Sequence, residues 1–412
     1  MTDADVLVVG AGPAGLAATV ALRRLGAGRV VVVDREERAG GVPRHTDHLG
    51  FGLRDLHRLS SGPRYARSWA DLAVKAGAEL LTSTTATGWL GPTMLELTGP
   101  GGRTVLAAGA VLLATGCRER PRAARLVPGS RPLGVLTTGT LQQLVHAHGQ
   151  RIGGRAVVVG AEHVSYSAVL TLAHAGASVA ALVTEEPRHQ TFAVLRAGIG
   201  LRHRAPLLTG CRVTAILGRP RVEAVEVTDL ATGATRLLAC DTVVFTGDWI
   251  PDHELARLGG LAMDPGTRGP RVDQRLRTSV PGVLAAGNLL HGAEAADVAA
   301  LDGRHAARSV RAYLDGRDWP RSGVDAEVRP PLCWVSPSRV HPGAGQPPRG
   351  RFLLRTAELR ERARLEVRQD GRLLWAGRRR GLVPARSVHT PARWVDQVDP
   401  SGGPVSFGLA GS

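Results

Sequence analysis

The sequence predicts an α/β protein with two Rossmann-like doubly wound domains, the second inserted in the first, and a small β-rich C-terminal region. Two observations carry this prediction. A hydrophobic strand leads into a glycine-containing turn and a helix twice, at residues 6–18 and at residues 156–175. After residue 324 the chain instead shows alternating strand patterns. At 412 residues the chain is long enough for two or three domains.

The domain boundaries follow from where these patterns start and stop. We place the first domain at residues 1–120 and 269–323, the inserted domain at 121–268, and the β-rich region at 324–412. In the last region, Leu365, Val367, Leu373 and Trp375 alternate around a turn at Asp370-Gly371, which predicts a hairpin. Further helices are expected at residues 65–76, 165–175 and 295–308.

The first turn carries a dinucleotide-binding pattern. Gly10 permits the tight turn, Gly12 lets a pyrophosphate approach the backbone, and Gly15 lets the helix pack closely on the sheet. The helix N-terminus then attracts phosphate through its unpaired N–H groups and its dipole. Asp34 ends the next strand, where a carboxylate can accept hydrogen bonds from both ribose hydroxyls. Together with the segment ending in Gly287-Asn288, this pattern predicts one dinucleotide site, with FAD as the cofactor.

Composition argues against several other functions. The net charge of +16 comes from arginines scattered along the chain, and only 4% of residues are aromatic, so no nucleic-acid-binding face is expected. The four cysteines are far apart and form no CxxC or CxxH pair, so no metal site is predicted. We find neither a signal peptide nor an apolar run of about 18 residues. The expected location is therefore the cytoplasm, with no membrane span.

These motifs resemble the FAD-dependent pyridine nucleotide-disulfide oxidoreductase-like superfamily over about residues 3–315. The likeness is greatest to the FAD subunits of the opine oxidase, hydrogen cyanide synthase and anaerobic glycerol-3-phosphate dehydrogenase group. The resemblance implies a set of cofactor-binding residues: Gly10, Gly12, Pro13, Ala14, Gly15, Asp34, Arg35, Gly41, Val42, Arg44, Ala86, Ala114, Thr115, Gly116, Gly287 and Asn288. Where the family has an aspartate that binds the ribityl chain, Asn288 keeps the carbonyl but not the charge.

One departure from the family concerns its redox cysteines. The disulfide reductases carry a cysteine two residues after the Gly-Gly pair and another five residues later, and here those positions are Pro43 and His48. Neither side chain can store electrons as a dithiol does. The substrate is therefore expected to exchange electrons with the flavin directly.

A second departure lies in the inserted domain, whose turn reads Gly160-Ala161-Glu162-His163. Glu162 stands where a glycine would admit the pyrophosphate, so its bulk and its charge both oppose NAD(P). Glu185, after the returning strand, can still hold a ribose. We expect poor NAD(P) binding and a scaffold role for this domain.

The loop after Gly41 supplies the candidate catalytic residues, His45 and His48, beside Arg44 and Asp47. In relatives this loop faces the isoalloxazine ring, and a histidine there can accept the proton of an amine or alcohol. Both histidines also have an ordinary interpretation, as exposed loop residues or as ligands of a flavin oxygen. His291, Glu294 and the helix after them are further candidates, whereas His163, Tyr166 and Cys117 fit packing roles better.

The sequence thus predicts an FAD-dependent oxidoreductase of the dehydrogenase or oxidase type. Its substrate is a small amine, amino acid or hydroxy compound, and electrons pass to a quinone, to a partner protein or to another acceptor. Two alternatives stay open. One is an NAD(P)H-dependent flavoprotein reductase, and the other is a flavin-binding, non-catalytic subunit of a larger complex.

Overall fold

The computed structural model describes residues 2–193, 196–292, 294–320 and 323–411. The chain divides into two compact units. Unit 1 comprises Met1–Pro43, Gly50–Cys117 and Pro251–Ser412, and unit 2 comprises Arg44–Leu49 and Arg118–Ile250. The chain therefore enters unit 2 twice, first with a six-residue loop segment and then with a whole α/β domain.

The regular elements are numbered in chain order. The helices are α1 (Pro13–Arg24), α2 (Gly62–Lys75), α3 (Thr138–Gln142), α4 (His163–His174), α5 (Glu254–Leu258) and α6 (Ala296–Leu314). The strands up to residue 119 are β1 (Ala4–Val9), β2 (Val30–Val33), β3 (Leu49–Phe51), β4 (Ser60–Ser61), β5 (Glu79–Leu81), β6 (Thr85–Gly91), β7 (Met94–Gly99), β8 (Gly102–Leu113) and β9 (Cys117–Glu119). Those up to residue 251 are β10 (Val135–Thr137), β11 (Arg155–Val159), β12 (Ser178–Val183), β13 (Leu207–Leu208), β14 (Cys211–Leu217), β15 (Ala224–Asp229), β16 (Thr235–Ala239), β17 (Thr242–Phe245) and β18 (Trp249–Pro251). The remaining strands are β19 (Val283–Ala285), β20 (Val324–Val328), β21 (Leu332–Ser336), β22 (Arg339–Val340), β23 (Arg351–Thr356), β24 (Arg360–Gln369), β25 (Arg372–Leu382), β26 (Val388–Pro391) and β27 (Val405–Leu409).

Unit 1 is built on a parallel sheet in the order β5-β2-β1-β8-β19, which β7 and β6 extend in antiparallel fashion along β8. All four residues of β2 are buried, as expected for a strand covered on both faces. Helices α1 and α6 pack closely, since a Cβ on Gly303 would lie 2.0 Å from the carbonyl oxygen of Ala14. The start of α1 therefore lies directly against α6.

Unit 2 repeats this plan on a smaller scale. Its parallel sheet has the order β10-β17-β11-β12-β13, and a separate antiparallel sheet has the order β14-β15-β16. Helix α4 connects β11 to β12, as α1 connects β1 to β2. Both are parallel βαβ crossovers.

The C-terminal part of unit 1 is all β and has a hydrophobic core of its own, built around Trp394, Phe352 and Phe407. One sheet has the order β22-β20-β27-β24-β25 and the other β21-β23-β26. The predicted hairpin is present, because β24 and β25 pair antiparallel and Gln369 lies opposite Arg372. Both turn residues have positive φ, 48° at Asp370 and 79° at Gly371, as an Asp-Gly hairpin turn requires. The predicted fold class is confirmed.

Two kinds of feature are absent from the described residues. No helix there has the length and apolar character needed to cross a bilayer. Within the same residues, no three His, Cys, Asp or Glu side chains lie close enough together to hold a metal ion.

Candidate functional site

The turn between β1 and α1 is shaped for close backbone approach. Gly10 has φ +105°, and a Cβ there would lie 2.4 Å from the carbonyl oxygen of Ala114. The Gly10 N–H donates to the carbonyl oxygen of Val33 at 2.8 Å. The next N–H, of Ala11, donates to a carboxylate oxygen of Asp34 at 2.6 Å. The predicted ribose ligand is thereby fixed beside the predicted phosphate turn.

The N-terminus of α1 is uncapped. Gly12 precedes the helix in an extended conformation, with no side chain to bond the free N–H groups of the first turn. A Cβ on Gly12 would meet only the Cα of Gly41, at 4.0 Å. Gly41 itself has φ +64°, and a Cβ there would come within 2.8 Å of the Gly12 Cα. This glycine-lined, positively polarised cradle fits the pyrophosphate of a dinucleotide such as FAD.

The segment after β19 closes on the same cradle. Gly287 has φ +70°, and a Cβ there would lie 2.7 Å from the Cβ of Ala14. Ala14, Ala114 and Ala299 form a small buried apolar cluster. The structure therefore brings together residues near positions 14, 114 and 287, although the first and the last are more than 250 positions apart in the sequence.

Asn288 has an internal role that sequence reasoning missed. Its Oδ1 accepts the Glu294 N–H at 3.0 Å, and its Nδ2 donates to the Glu294 carbonyl oxygen at 3.1 Å. An aspartate cannot supply the second bond, because a carboxylate does not donate. The amide thus holds two points of the loop before α6 together, and its contact with a ribityl chain stays a prediction.

Further predicted cofactor residues lie after β2, after β8 and on β6. Arg35 pairs with Asp252 at 3.3 Å, and the Thr115 hydroxyl donates to the Asp252 carbonyl oxygen at 2.7 Å. The Gly116 carbonyl oxygen accepts the N–H of Asp252 at 2.9 Å. Ala86 lies on β6, shortly after Thr84, whose N–H donates to the Asp34 carbonyl oxygen at 2.9 Å. Asp252 therefore links three of these positions, a role that nothing in its local sequence indicates.

The candidate catalytic loop begins in a short 3-10 turn, Val42–His45. Its residues from Arg44 onward belong to unit 2. His45 is buried, with 5% of its surface exposed. His48 uses both ring nitrogens, Nδ1 at 2.8 Å from the Leu49 carbonyl oxygen and Nε2 at 2.8 Å from the Ser167 hydroxyl. Because a carbonyl only accepts, Nδ1 is the nitrogen that donates to Leu49, and Nε2 is the one that shares a hydrogen bond with the Ser167 hydroxyl.

This histidine belongs to a longer hydrogen-bond network in unit 2. The Gln142 amide donates to the Ser167 hydroxyl oxygen at 2.9 Å, and Thr46 donates to the Gln142 carbonyl oxygen at 3.2 Å. The network orients the loop, and its donors and acceptors are consistent from end to end. The catalytic assignment of His45 and His48 stays a prediction.

The turn between β11 and α4 in unit 2 corresponds residue by residue to the turn between β1 and α1 in unit 1. The Gly160 N–H donates to the Val183 carbonyl oxygen at 2.8 Å, as Gly10 does to Val33. Here, however, Glu162 occupies the helix N-terminus. Its carboxylate accepts the Ala161 N–H at 2.9 Å and the Thr246 hydroxyl at 2.5 Å. It also forms a capping box with Ser165, in which each side chain accepts the other residue's N–H.

Glu119 and Arg125 add charge beside Glu162, and sequence reasoning missed both. Glu119 accepts the Gly139 N–H at 2.8 Å and is buried, with 7% exposed. Burial, together with repulsion from Glu162, raises the pKa of Glu119 to about 7. Arg125 donates to the carbonyl oxygens of Thr246 and Gly247. The crevice at the ends of β11 and β17 is thus filled by the protein's own polar groups.

Comparison with known protein families identifies the first 300 residues. A sequence model of the family described as "Pyridine nucleotide-disulphide oxidoreductase" matches residues 4–303. An opine oxidase subunit from Agrobacterium tumefaciens is 30% identical over 342 residues, which cover 75% of this chain and 66% of that protein. The alpha subunit of sarcosine oxidase from Rhizobium meliloti is 29% identical over 271 residues, 61% of this chain but 25% of that protein. The chain thus matches less than two thirds of the length of either curated relative.

Solved structures agree on the fold. Thioredoxin reductase of T. acidophilum superposes with a TM-score of 0.64 at 25% identity, covering 76% of this chain and 98% of that one. Thioredoxin reductase of Lactococcus lactis gives 0.63 at 17% identity, covering 76% of this chain and all of that one, and supports the fold alone. The matched region is a flavoprotein fold with two Rossmann-type domains.

Proposed function

The chain belongs to the pyridine nucleotide-disulphide oxidoreductase family, and on that premise we propose that it is an FAD-dependent oxidoreductase of the dehydrogenase or oxidase type. Its substrate would be a small amine, amino acid or hydroxy compound, oxidised directly at the flavin. The electrons would then leave to a quinone, to a partner protein or to another acceptor. The observation that carries this proposal is the Glu162 carboxylate at the N-terminus of α4.

The first turn provides the binding groups for FAD. The free N–H groups at the start of α1 would hold the pyrophosphate, with Gly12 and Gly41 leaving room for it. Asp34 would accept the ribose hydroxyls. Bound FAD supplies the two-electron acceptor that the chain itself lacks.

Glu162 favours reduction of the flavin by the substrate itself and not by NAD(P)H. In unit 2 the carboxylate already satisfies the N–H groups that a pyrophosphate would need. A dinucleotide would have to displace a negative charge that is held by Ala161, Ser165 and Thr246. Glu119, which interacts with Glu162, would add repulsion to the phosphates wherever it is ionised. These costs add, so NAD(P)H is a poor reductant in this proposal.

The cysteines point in the same direction. All four, Cys117, Cys211, Cys240 and Cys333, lie in the described part of the chain, and none of them forms a disulfide there. Pro43 and His48 occupy the positions of the family's redox pair. The chain therefore has no dithiol pair at these positions that could store the two electrons.

We assign proton acceptance to His45 or His48, because an amine or alcohol loses a proton as well as a hydride. In His48 the Nδ1 faces the Leu49 carbonyl oxygen, so Nε2, which faces the Ser167 hydroxyl, is the nitrogen that would accept a proton. Replacing the histidine that acts as the base with asparagine should slow substrate-driven flavin reduction by roughly 10²- to 10⁴-fold at unchanged flavin content. Full activity in both variants would remove these residues from the mechanism.

The test is anaerobic reduction of the purified yellow protein, followed as bleaching of the flavin absorbance. A panel of amines, amino acids and 2-hydroxy acids is compared with NADH and NADPH. We expect at least one substrate to reduce the flavin rapidly and both nucleotides to do so slowly or not at all. Rapid reduction by micromolar NADH or NADPH would instead assign the chain as an NAD(P)H-dependent reductase.

A partner subunit is the second part of the proposal. The opine oxidase and sarcosine oxidase relatives are named as subunits, and this chain matches only part of their length. Affinity purification from the native host should recover a second polypeptide in stoichiometric amount. If the isolated chain binds FAD but reacts with no compound, and becomes active with that polypeptide, the chain is the non-catalytic member of a larger complex.

A further inference from the structure

Unit 1 contains a cluster of aromatic and charged side chains that lies outside the cofactor cradle. It joins the C-terminal β region to the loop before α6 and consists of Trp334, Arg355, His291, Glu294 and Ser387, here called the Arg355 cluster. Trp334 on β21 pairs directly with Arg355 on β23. The Arg355 guanidinium lies 5.3 Å from the Trp334 ring centre. The His291 ring stacks on the same indole at 5.6 Å.

Arg355 is a partly buried cation whose hydrogen bonds are long. It donates to the carbonyl oxygens of Gly292 and Pro384 at 3.3 Å and 3.4 Å, and to the Ser387 hydroxyl at 3.4 Å. These bonds are longer than the usual distance of about 2.9 Å. Within the described residues, Arg355 forms no ion pair. Burial lowers the pKa of Arg355, which is the signature of a guanidinium removed from water and incompletely compensated.

The neighbouring carboxylates have other partners. Glu294 accepts the Ser387 hydroxyl proton. Asp302 on α6 pairs with Arg349 at 3.3 Å. Glu294 still attracts Arg355 through space. The guanidinium nevertheless keeps donor capacity for one more anion.

His291 supplies an independent sign of a missing ligand. It is 3% exposed, and its Nδ1 has no hydrogen-bond partner. Burial, reinforced by Arg355 and Arg349, lowers the pKa of His291 to about 3, so the ring is neutral at physiological pH. A neutral imidazole can donate one hydrogen bond, and a buried ring nitrogen without a partner is uncommon in native proteins.

The cluster adjoins the cofactor motif in the chain. His291 follows Gly287 by four residues. The Asn288 side-chain amide hydrogen-bonds to both the backbone N–H and the backbone carbonyl oxygen of Glu294. Helix α6 starts at Ala296 without a side-chain cap, so its positive end adds to the field there.

We propose that Arg355 and His291 bind the carboxylate of the substrate. This inference rests on the proposed function and narrows it, because the substrate then is an amino acid or a 2-hydroxy acid and not a plain amine or alcohol. A guanidinium binds a carboxylate through two parallel N–H donors, and His291 adds a third. The C-terminal β region thereby acquires a role in specificity.

The experiment compares matched compounds and matched variants of the FAD-loaded protein. Alanine is compared with ethylamine, proline with pyrrolidine, and lactate with ethanol in anaerobic flavin reduction. Binding without turnover is measured separately, as the shift in unfolding temperature and in the flavin spectrum with acetate against acetamide. The variants are Arg355→Met, Glu294→Gln and the control Arg351→Met, which makes the same change at an exposed position of the same strand.

We expect acetate but not acetamide to bind. Arg355→Met should weaken acetate binding by roughly 10- to 150-fold. It should raise the half-saturating concentrations of alanine, proline and lactate by a similar factor. Arg351→Met should change neither. Glu294→Gln should tighten acetate binding, since it removes a negative charge that competes for Arg355 and keeps an oxygen that can accept the Ser387 hydroxyl proton. If Arg355 merely pairs with Glu294, both variants lose stability and neither changes acetate binding, which overturns the proposal.

The two failures can be told apart. Should ethylamine, pyrrolidine or ethanol reduce the flavin as well as their acids, with Arg355→Met reacting like the wild type, the carboxylate site is disproved and the oxidoreductase assignment stands. Should no compound reduce the flavin while acetate binding depends on Arg355, the assignment fails and the carboxylate site stands.

Discussion

The turns that start the two Rossmann-type repeats share a backbone and differ in where they keep a carboxylate. In unit 1 the turn N–H of Ala11 donates to Asp34, at the end of β2. In unit 2 the corresponding N–H of Ala161 donates to Glu162, at the start of α4. The position of Asp34 is taken there by Thr184, which accepts the N–H two residues later just as Asp34 does. The carboxylate has moved from the ribose position to the phosphate position.

A second exchange supports the first. Ala114 follows β8 in unit 1 and belongs to an apolar cluster of alanines, whereas Thr246 follows β17 in unit 2 and donates to Glu162. Each N–H bonds back to its central strand, at Val9 and Val159 respectively. One repeat is therefore left open for an anion, and the other carries an anion of its own. A nucleotide-binding fold can thus hold one of its own side chains in the place of its ligand.

The largest expected effect comes from moving the carboxylate into the first repeat. Gly12→Glu should yield colourless protein, because the new side chain occupies the phosphate cradle as Glu162 does in unit 2. The variant should also lose the stability that the cofactor gives, about 4 kcal/mol when free FAD is about 1,000 times its Kd. The measurements are the ratio of flavin to protein absorbance and the unfolding temperature with and without added FAD.

Gly12→Ala is the matched control. A Cβ at this position meets only the Gly41 Cα, at 4.0 Å, so the apoprotein should fold as the wild-type apoprotein does. Its flavin content then reports how closely the pyrophosphate must approach the backbone. Full FAD content in Gly12→Glu would show that the cofactor binds elsewhere.

The second effect is a pH dependence confined to the filled repeat. Burial, with repulsion from Glu162, raises the pKa of Glu119 to about 7, against about 4.3 for an unfolded glutamate. Between these pH values the folded chain holds a proton that the unfolded chain lacks. The free energy of unfolding therefore falls as pH rises through this window, by up to about 1.4 kcal/mol per pH unit, and levels off above about pH 7.

Glu119→Gln should remove this slope, and Glu162→Gln should end it at a lower pH because the repelling charge is gone. Urea titrations from pH 5 to pH 8, followed by circular dichroism and compared with the wild type, test both. Glu185→Gln is the control, since Glu185 is exposed and pairs with Arg212 at the surface. A wild-type slope retained in Glu119→Gln would assign the titration to another group.

The sequence pattern predicts the local backbone of the first turn, whereas the contacts that fill the second turn come from distant residues. Gly10, Gly12, Gly41 and Asp34 act through the local backbone, where strand, turn and helix follow one another, so their spacing is informative. The sequence predicts that Glu162 opposes NAD(P), and the structure shows Glu162 capping α4. That role depends on Thr246, 84 positions away.

Other contacts lay outside what the sequence could show. His48 and Ser167 are 119 positions apart, and their hydrogen bond depends on how a loop packs on a helix. Trp334 and Arg355 meet through strand register, and one residue of slippage would turn either side chain to the other face. The sequence places His291 shortly after Gly287, but its burial and its partnerless nitrogen depend on the C-terminal region, where Trp334 stacks on it.

The smallest expected effect comes from moving the carboxylate of unit 2 from position 162 back to position 184, which corresponds to Asp34. Glu162→Gly removes the cap of α4 and the acceptor of the Ala161 N–H, which should cost about 1–2 kcal/mol of unfolding free energy. Thr184→Asp in that background should recover part of this loss, roughly 1 kcal/mol, since an aspartate there can accept the Ala161 N–H as Asp34 accepts that of Ala11. In the wild-type background the same substitution should be neutral or destabilising, because Glu162 already holds the N–H and repels a second carboxylate. The four proteins form a double-mutant cycle, measured by urea unfolding at pH 8, where Glu119 no longer titrates. A coupling energy of zero would show that the two carboxylate positions are independent and that the likeness between the repeats does not extend to their hydrogen bonds.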